Sequence, residues 1–232
     1  MTRKSARNYC LSASVLSGIV LALLAGAMVA GDIVPADAAL RDIFRESQEP
    51  WLTNAFLGLT HLGSVEIVIV IACLAFAGFR AAGLRCDARA LAWTMAAGML
   101  VENAMKFGFH RARPQPWLDV PLPGSYSFPS GHALFATCLY GAIAWGVSGA
   151  VRGALARWLV WAAALFLIAS IGISRIYLGV HYPSDVAAGW LAGILCVAGV
   201  RLAQGHHAGR HIRLSNPDPL TEPADEHIHR IA

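Results

Sequence analysis

The chain has 232 residues, of which 56% are hydrophobic and only 14% charged, and its mean hydropathy is +0.54. Soluble domains carry about a quarter charged residues, so the composition excludes an ordinary soluble globular protein and fits a single integral membrane domain. The formal charge of +4 is scattered among apolar runs, which argues against a nucleic-acid-binding face and suits membrane topology.

Residues 1–10 are polar and basic, with Arg3, Lys4 and Arg7, and an apolar run follows from Cys10 to Ala30. A secretory signal shares this pattern, but about twenty apolar residues is long for a signal core and enough to cross a bilayer, so an uncleaved span is favoured. Residues 32–62 mix acids, Pro35 and Pro50 with apolar positions such as Phe44, Trp51 and Phe56. They fit either short amphipathic helices at the membrane interface or a plain connecting loop.

Further spans are expected over residues 64–79, 90–106, 130–147, 158–173 and 184–202, giving an all-α bundle of six transmembrane helices. A loop containing Pro114, Pro116, Pro121, Pro123 and Pro129 precedes the fourth span. The membrane domain is expected over residues 1–203. Residues 204–232, rich in His, Pro and charge, are expected to be a disordered cytoplasmic tail. The irregular spacing of His206, His207, His211, His227 and His229 argues against a metal site there. Cys10, Cys73, Cys86, Cys138 and Cys196 show no metal-ligand spacing, and no disulfide is expected.

Six spans put both termini on one side. Twelve of the eighteen Lys and Arg residues fall on that side, and the other six are Arg41, Arg45, Lys106, Arg111, Arg113 and Arg175. The excess of positive charge places the termini in the cytoplasm. Three stretches that carry unusual chemistry for a membrane protein then share the outer side: Lys106 to Pro114, Pro129 to His132, and Ser174 to Asp185.

These stretches suit a phosphate. Lys106, Arg113 and Arg175 supply cations, and arginine can hold two oxygens at once. Ser130 is a candidate N-cap before an apolar helix, and Gly131 allows a ligand to approach free N–H groups. Singly, each has a plainer explanation: Lys106 can snorkel to the interface or pair with Glu102 four residues earlier, and Arg113 can be a surface charge. The histidines differ in their neighbours. Asp185 lies four residues after His181, across Pro183, and can orient the imidazole so that its other nitrogen acts as a nucleophile. His132 has no local carboxylate and suits a general acid.

The blocks Lys106-x6-Arg113-Pro114, Pro129-Ser130-Gly131-His132 and Ser174-Arg175-x3-Gly179-x-His181-x3-Asp185 resemble the three-part signature of the type 2 phosphatidic acid phosphatase superfamily. The resemblance covers about residues 10–203. It implies a helical bundle and a cofactor-free, metal-independent phosphatase facing the outer leaflet. His181 would be the nucleophile and His132 the acid, with Lys106, Arg113, Ser130, Gly131, His132 and Arg175 around the phosphate. The apolar spans and short chain resemble bacterial inner-membrane members. Among their lipid substrates undecaprenyl diphosphate is expected first, with phosphatidic acid, phosphatidylglycerophosphate and lipid A as alternatives. Transfer to a second acceptor would use the same phosphohistidine. A non-catalytic transporter or binding protein for anionic lipids is disfavoured because no histidine or aspartate of the set is missing. No nucleic-acid partner is expected. Gly189-x-x-x-Gly193 suits a helix contact within or between chains.

Overall fold

The computed structural model describes residues 3–118 and 124–215, with side chains over 5–118 and 124–205. Among them lie eight α-helices and no strand: α1 (Arg3–Ala30), α2 (Val34–Glu46), α3 (Pro50–His61), α4 (Val65–Ala81), α5 (Arg85–Phe109), α6 (Gly131–Ala150), α7 (Ala154–Tyr177) and α8 (Pro183–Ser215). Prolines open three of them, with Pro35 and Pro50 in the first turns of α2 and α3 and Pro183 starting α8. There the missing N–H costs nothing and φ is already helical.

Helices α1, α6, α7 and α8 are each long and apolar enough to cross a membrane, and α3 with α4, bent by 52°, makes a fifth candidate span. The sequence expectation of six differs at two places. The run at 64–79 becomes α4, whose 17 residues are short and which qualifies only together with α3. The run at 90–106 falls within the 25 residues of α5, where Arg85, Asp87, Arg89, Glu102 and Lys106 lower the average hydropathy. The stretch 32–62 is helical, and it does more than lie at an interface. Phe44, Leu52, Phe56 and Leu57 pack on Tyr177, Leu178 and Val180, so α2 and α3 cover the α7–α8 junction. Helix α8 continues to Ser215, into the tail expected from residue 204, while residues 216–232 lie outside those described, as do Pro121 and Pro123.

Helix α6 is the central one, with α5, α7 and α8 packed around it and α4 touching it. Small residues make this close approach possible. A side chain at Gly193 would strike Thr137, and one at Gly189 would strike the Ser130 carbonyl, so the Gly-x-x-x-Gly face of α8 is used against α6 within the chain. By contrast α1 packs on α8 and leaves Leu16, Ile19 and Leu23 exposed, and α7 exposes Leu155, Trp158 and Phe166. Such apolar surface suits lipid and would be a liability in water. The Tyr140 hydroxyl donates to the Leu62 carbonyl at 2.9 Å, tying α6 to the bend between α3 and α4.

Candidate active site

The site forms where α7 ends and α8 and α6 begin. Helix α7 closes on a left-handed Gly179, with φ +75°, whose N–H bonds the Ile176 carbonyl while the Val180 N–H bonds that of Arg175. These two bonds make a Schellman stop, and a residue without Cβ is favoured at its turning point. Trp117 lies against Gly179, leaving no room for a side chain. The turn delivers His181, and α8 starts two residues later.

Asp185, in the first turn of α8, is fully buried and its carboxylate is saturated. Oδ2 accepts from the Tyr182 N–H at 2.9 Å, from the Ser127 hydroxyl at 2.5 Å, and lies 3.3 Å from His181 Nδ1. Oδ1 accepts from Arg111 Nη1 at 2.6 Å. On the other side of the imidazole, Arg113 Nη1 is 2.9 Å from His181 Nε2. A guanidinium only donates, so Nε2 must accept and the ring proton sits on Nδ1, toward Asp185. Burial lowers the His181 pKa to about 4; Asp185 opposes the shift, and Arg113 and Arg175 add to it. His181 is therefore a neutral imidazole at neutral pH with its lone pair on Nε2.

Around that nitrogen stand the other residues expected from the sequence. Arg113 is fixed by the carbonyls of Ser125 and Val180, at 2.8 and 3.2 Å. Lys106 Nζ bonds the Ser125 hydroxyl at 3.1 Å, which also receives Arg113 Nη2, so the two cations share a partner. Lys106 also pairs with Glu102 at 2.8 Å, as the four-residue spacing allows. Arg175 is buried and gives Nη1 to the Thr60 hydroxyl of α3 at 2.8 Å, while its Nε has no partner among the described residues. His132 lies within electrostatic reach of Arg175, His181, Arg113 and Lys106.

Ser130 occupies the N-cap position of α6, but its side chain makes no capping bond. Its N–H goes to the Asp185 carbonyl at 2.9 Å, and its buried hydroxyl has no partner among the described residues. Leaving a buried hydroxyl unpaired is costly; together with Arg175 Nε and the first N–H groups of α6, it offers donors suited to an anion. Gly131 also gives space to a group the sequence did not suggest: a Cβ there would meet the Glu102 carboxylate, which would have to swing aside.

Arg111, Asp37, Ser127 and Thr60 escaped the sequence reading as site residues. Arg111 Nη2 reaches Asp37 Oδ2 on α2 at 2.7 Å, and its guanidinium stacks over Tyr182 at 4.1 Å. Asp37 in turn receives the Ser184 N–H at 2.9 Å and the Ser184 hydroxyl at 2.6 Å, capping α8 with a carboxylate from another helix. Burial works against the charge on Arg111, but Asp185 and Asp37 together raise its pKa.

Comparison with known proteins identifies the family. The family model of the PAP2 superfamily matches residues 87–208, which include all three blocks. Phosphatidylglycerophosphatase B of Bacillus subtilis is 29% identical over 174 residues, covering 75% of this chain and 85% of that protein. An undecaprenyl-diphosphatase of Sulfolobus acidocaldarius is 40% identical over 79 residues, 33% of each chain. The crystal structure of a transmembrane PAP2-type phosphatidylglycerolphosphate phosphatase from Bacillus subtilis superposes with a TM-score of 0.75 at 26% identity, covering 86% of this chain and 96% of that one. Aquifex aeolicus LpxE gives 0.54 at 26% identity, over 70% and 93%. The match takes in more than half of the sequence, with His181, Asp185 and Arg113 inside it, and the chain belongs to the PAP2 superfamily.

Proposed function

We propose that this membrane lipid phosphatase removes a terminal phosphate from a lipid at the outer leaflet of a bacterial inner membrane, through a phosphohistidine on His181, and that its substrate is phosphatidylglycerophosphate. The observation that carries the mechanism is the pair of contacts on His181, Nδ1 toward Asp185 and Nε2 toward Arg113. In this mechanism the phosphate enters between Arg113 and Nε2. Lys106, Arg113, Arg175, the Ser130 hydroxyl and the N–H groups at Gly131 and His132 hold its oxygens. His132 takes a proton from the incoming phosphate monoester, Nε2 attacks phosphorus, the bond from phosphorus to the lipid oxygen breaks, and His132 passes that proton to the leaving oxygen. Water then gives a proton to His132 and attacks the phosphohistidine, breaking the N–P bond and releasing inorganic phosphate. The three cations and the helix N-terminus stabilise the charge on the transferring group, so the chemistry needs no metal or other cofactor.

The substrate assignment is supported by the relatives that share most of the chain, whose names specify phosphatidylglycerophosphate. A second reading, undecaprenyl diphosphate, is supported by the Sulfolobus relative over a third of the chain. It is also the substrate that the sequence resemblance puts first. Initial rates of the purified protein on phosphatidylglycerophosphate, phosphatidic acid, undecaprenyl diphosphate and lipid A test the choice. The highest kcat/KM is expected on the first, and a preference of tenfold or more for the diphosphate would establish the second.

The proposal includes six spans, formed by α1, α4 with α3, α5, α6, α7 and α8, with both termini in the cytoplasm and residues 204–232 as a tail. At about 1.5 Å per residue α5 is long enough to cross. Its charges also gather toward its ends, Arg85 to Arg89 at one and Glu102 and Lys106 at the other. A reporter fused after Arg230 should read cytoplasmic; a signal from the opposite side overturns the topology.

A further inference from the structure

Glu102 has no part in the mechanism above, yet its carboxylate stands inside the site. It lies against the Cα of Gly131, at the start of α6, in the space a Cβ there would take. Its Oε1 is 2.8 Å from Lys106 Nζ, and both side chains are largely buried, at 14% and 12% exposure. It is also close enough to Arg113 to favour that cation electrostatically. A carboxylate is thus paired with the lysine assigned to the phosphate and lies beside the N-terminal end of α6, also assigned to it.

We propose that Glu102 is a built-in competitor of the phosphate, and that it sets the site's preference for phosphate monoesters over more highly charged diphosphates. The inference rests on reading this pocket as a phosphate site. Three cations, Lys106, Arg113 and Arg175, are assigned to the phosphate, while Arg111 behind His181 is taken up by the two carboxylates of Asp185 and Asp37 and adds no free positive charge. Glu102 cancels one of the three. What remains matches a monoester dianion and falls short of the charge on a diphosphate. An incoming anion must displace Glu102 from Lys106, and the carboxylate then repels it at short range. The same repulsion speeds the departure of inorganic phosphate, so the preference does not come with a slow product release. Charge at this distance in a partly buried site is worth on the order of tenfold or more in affinity.

The alternative role for Glu102 is to hold Lys106 in place, and it predicts the opposite sign. The test measures inhibition by inorganic phosphate and by pyrophosphate, with direct binding of both followed by calorimetry, for wild type and Glu102→Gln in detergent. The amide keeps the shape and removes the charge. Phosphate should bind Glu102→Gln about tenfold more tightly and pyrophosphate should gain more. The ratio of lipid diphosphate to monoester kcat/KM should rise with it. Unchanged or weaker binding of both anions overturns the proposal, weaker binding being what a positioning role predicts. Should Glu102→Gln fail to fold, Glu102→Ala carries the same test. Wild type that binds phosphate but hydrolyses no lipid phosphate would instead refute the proposed function, and the binding arm would still decide the role of Glu102.

Discussion

Arg111 joins two carboxylates that lie 148 positions apart in the sequence, its Nη1 at 2.6 Å from Asp185 Oδ1 and its Nη2 at 2.7 Å from Asp37 Oδ2. One belongs to the residue that orients His181, the other to a helix outside the three motif blocks. The guanidinium therefore fastens α2 to the first turn of α8 and fixes the carboxylate behind the imidazole.

Removing Arg111 leaves two nearly buried carboxylates facing each other without their cation. Arg111→Ala should cost about 3–5 kcal/mol of stability, the range for breaking one side of a buried ion pair. Denaturant or thermal unfolding in detergent measures it. Loss of less than about 1 kcal/mol would show that the pair is screened by solvent. Asp37→Asn should be milder, since the amide oxygen can still accept from Ser184.

Asp185→Asn should cut kcat by about three to four orders of magnitude if it holds the His181 tautomer as a triad aspartate holds its histidine. A loss below tenfold would remove Asp185 from the mechanism. Ser127→Ala, which takes away only one of the donors to the same carboxylate, should cost far less.

Ser130→Ala separates binding from stability. Its hydroxyl has no protein partner among the described residues, so the variant loses no internal hydrogen bond and should unfold at nearly the wild-type temperature. If the hydroxyl serves the transferring phosphate, kcat/KM should nonetheless fall by about 10²-fold, as for loss of one oxyanion donor. A large drop in melting temperature with intact turnover would reverse this assignment.

The pH dependence follows from His181. Attack requires the neutral ring, and its pKa is lowered to about 4, so kcat/KM should rise through about pH 4 and lie beyond that limb at neutral pH. Asp185 raises this pKa and Arg113 lowers it, so the acid limb should move down in Asp185→Asn and up in Arg113→Ala. Stability has the matching sign. Between about pH 6.5 and 4 the unfolded chain binds the proton that folded His181 refuses, so this group contributes stability at neutral pH that is lost as the pH falls. An acid limb near pH 6.5 would mean that His181 is not the group titrating.

What was legible in the sequence was local. His181 and Asp185 are four residues apart across a helix start, and Glu102 and Lys106 four apart on one helix face; both contacts are present. The three blocks could be gathered on one face from the alternation of spans and charge. Asp37 and Thr60 could not be assigned to the site, because their partners are 147 and 115 positions away and no periodicity carries such a distance. Arg111 sat in plain view two residues before Arg113 but read as one more outer cation. In a chain with so few charges, an acid such as Asp37 in an amphipathic stretch was the available hint of a buried partner. The expected six spans and the candidate spans part where charge and hydropathy diverge: α5 carries the charged site residues Glu102 and Lys106, and α4 qualifies only together with α3.

The central claim is that His181 attacks the phosphate without help from a metal. It is tested most directly by measuring phosphate release from phosphatidylglycerophosphate, in excess chelator, by wild type and by His181→Ala of matched melting temperature. The account predicts full wild-type turnover under chelation and a loss of at least about 10⁴-fold in the variant. Wild-type activity abolished by the chelator, or a His181→Ala enzyme retaining a tenth of the rate, would contradict it.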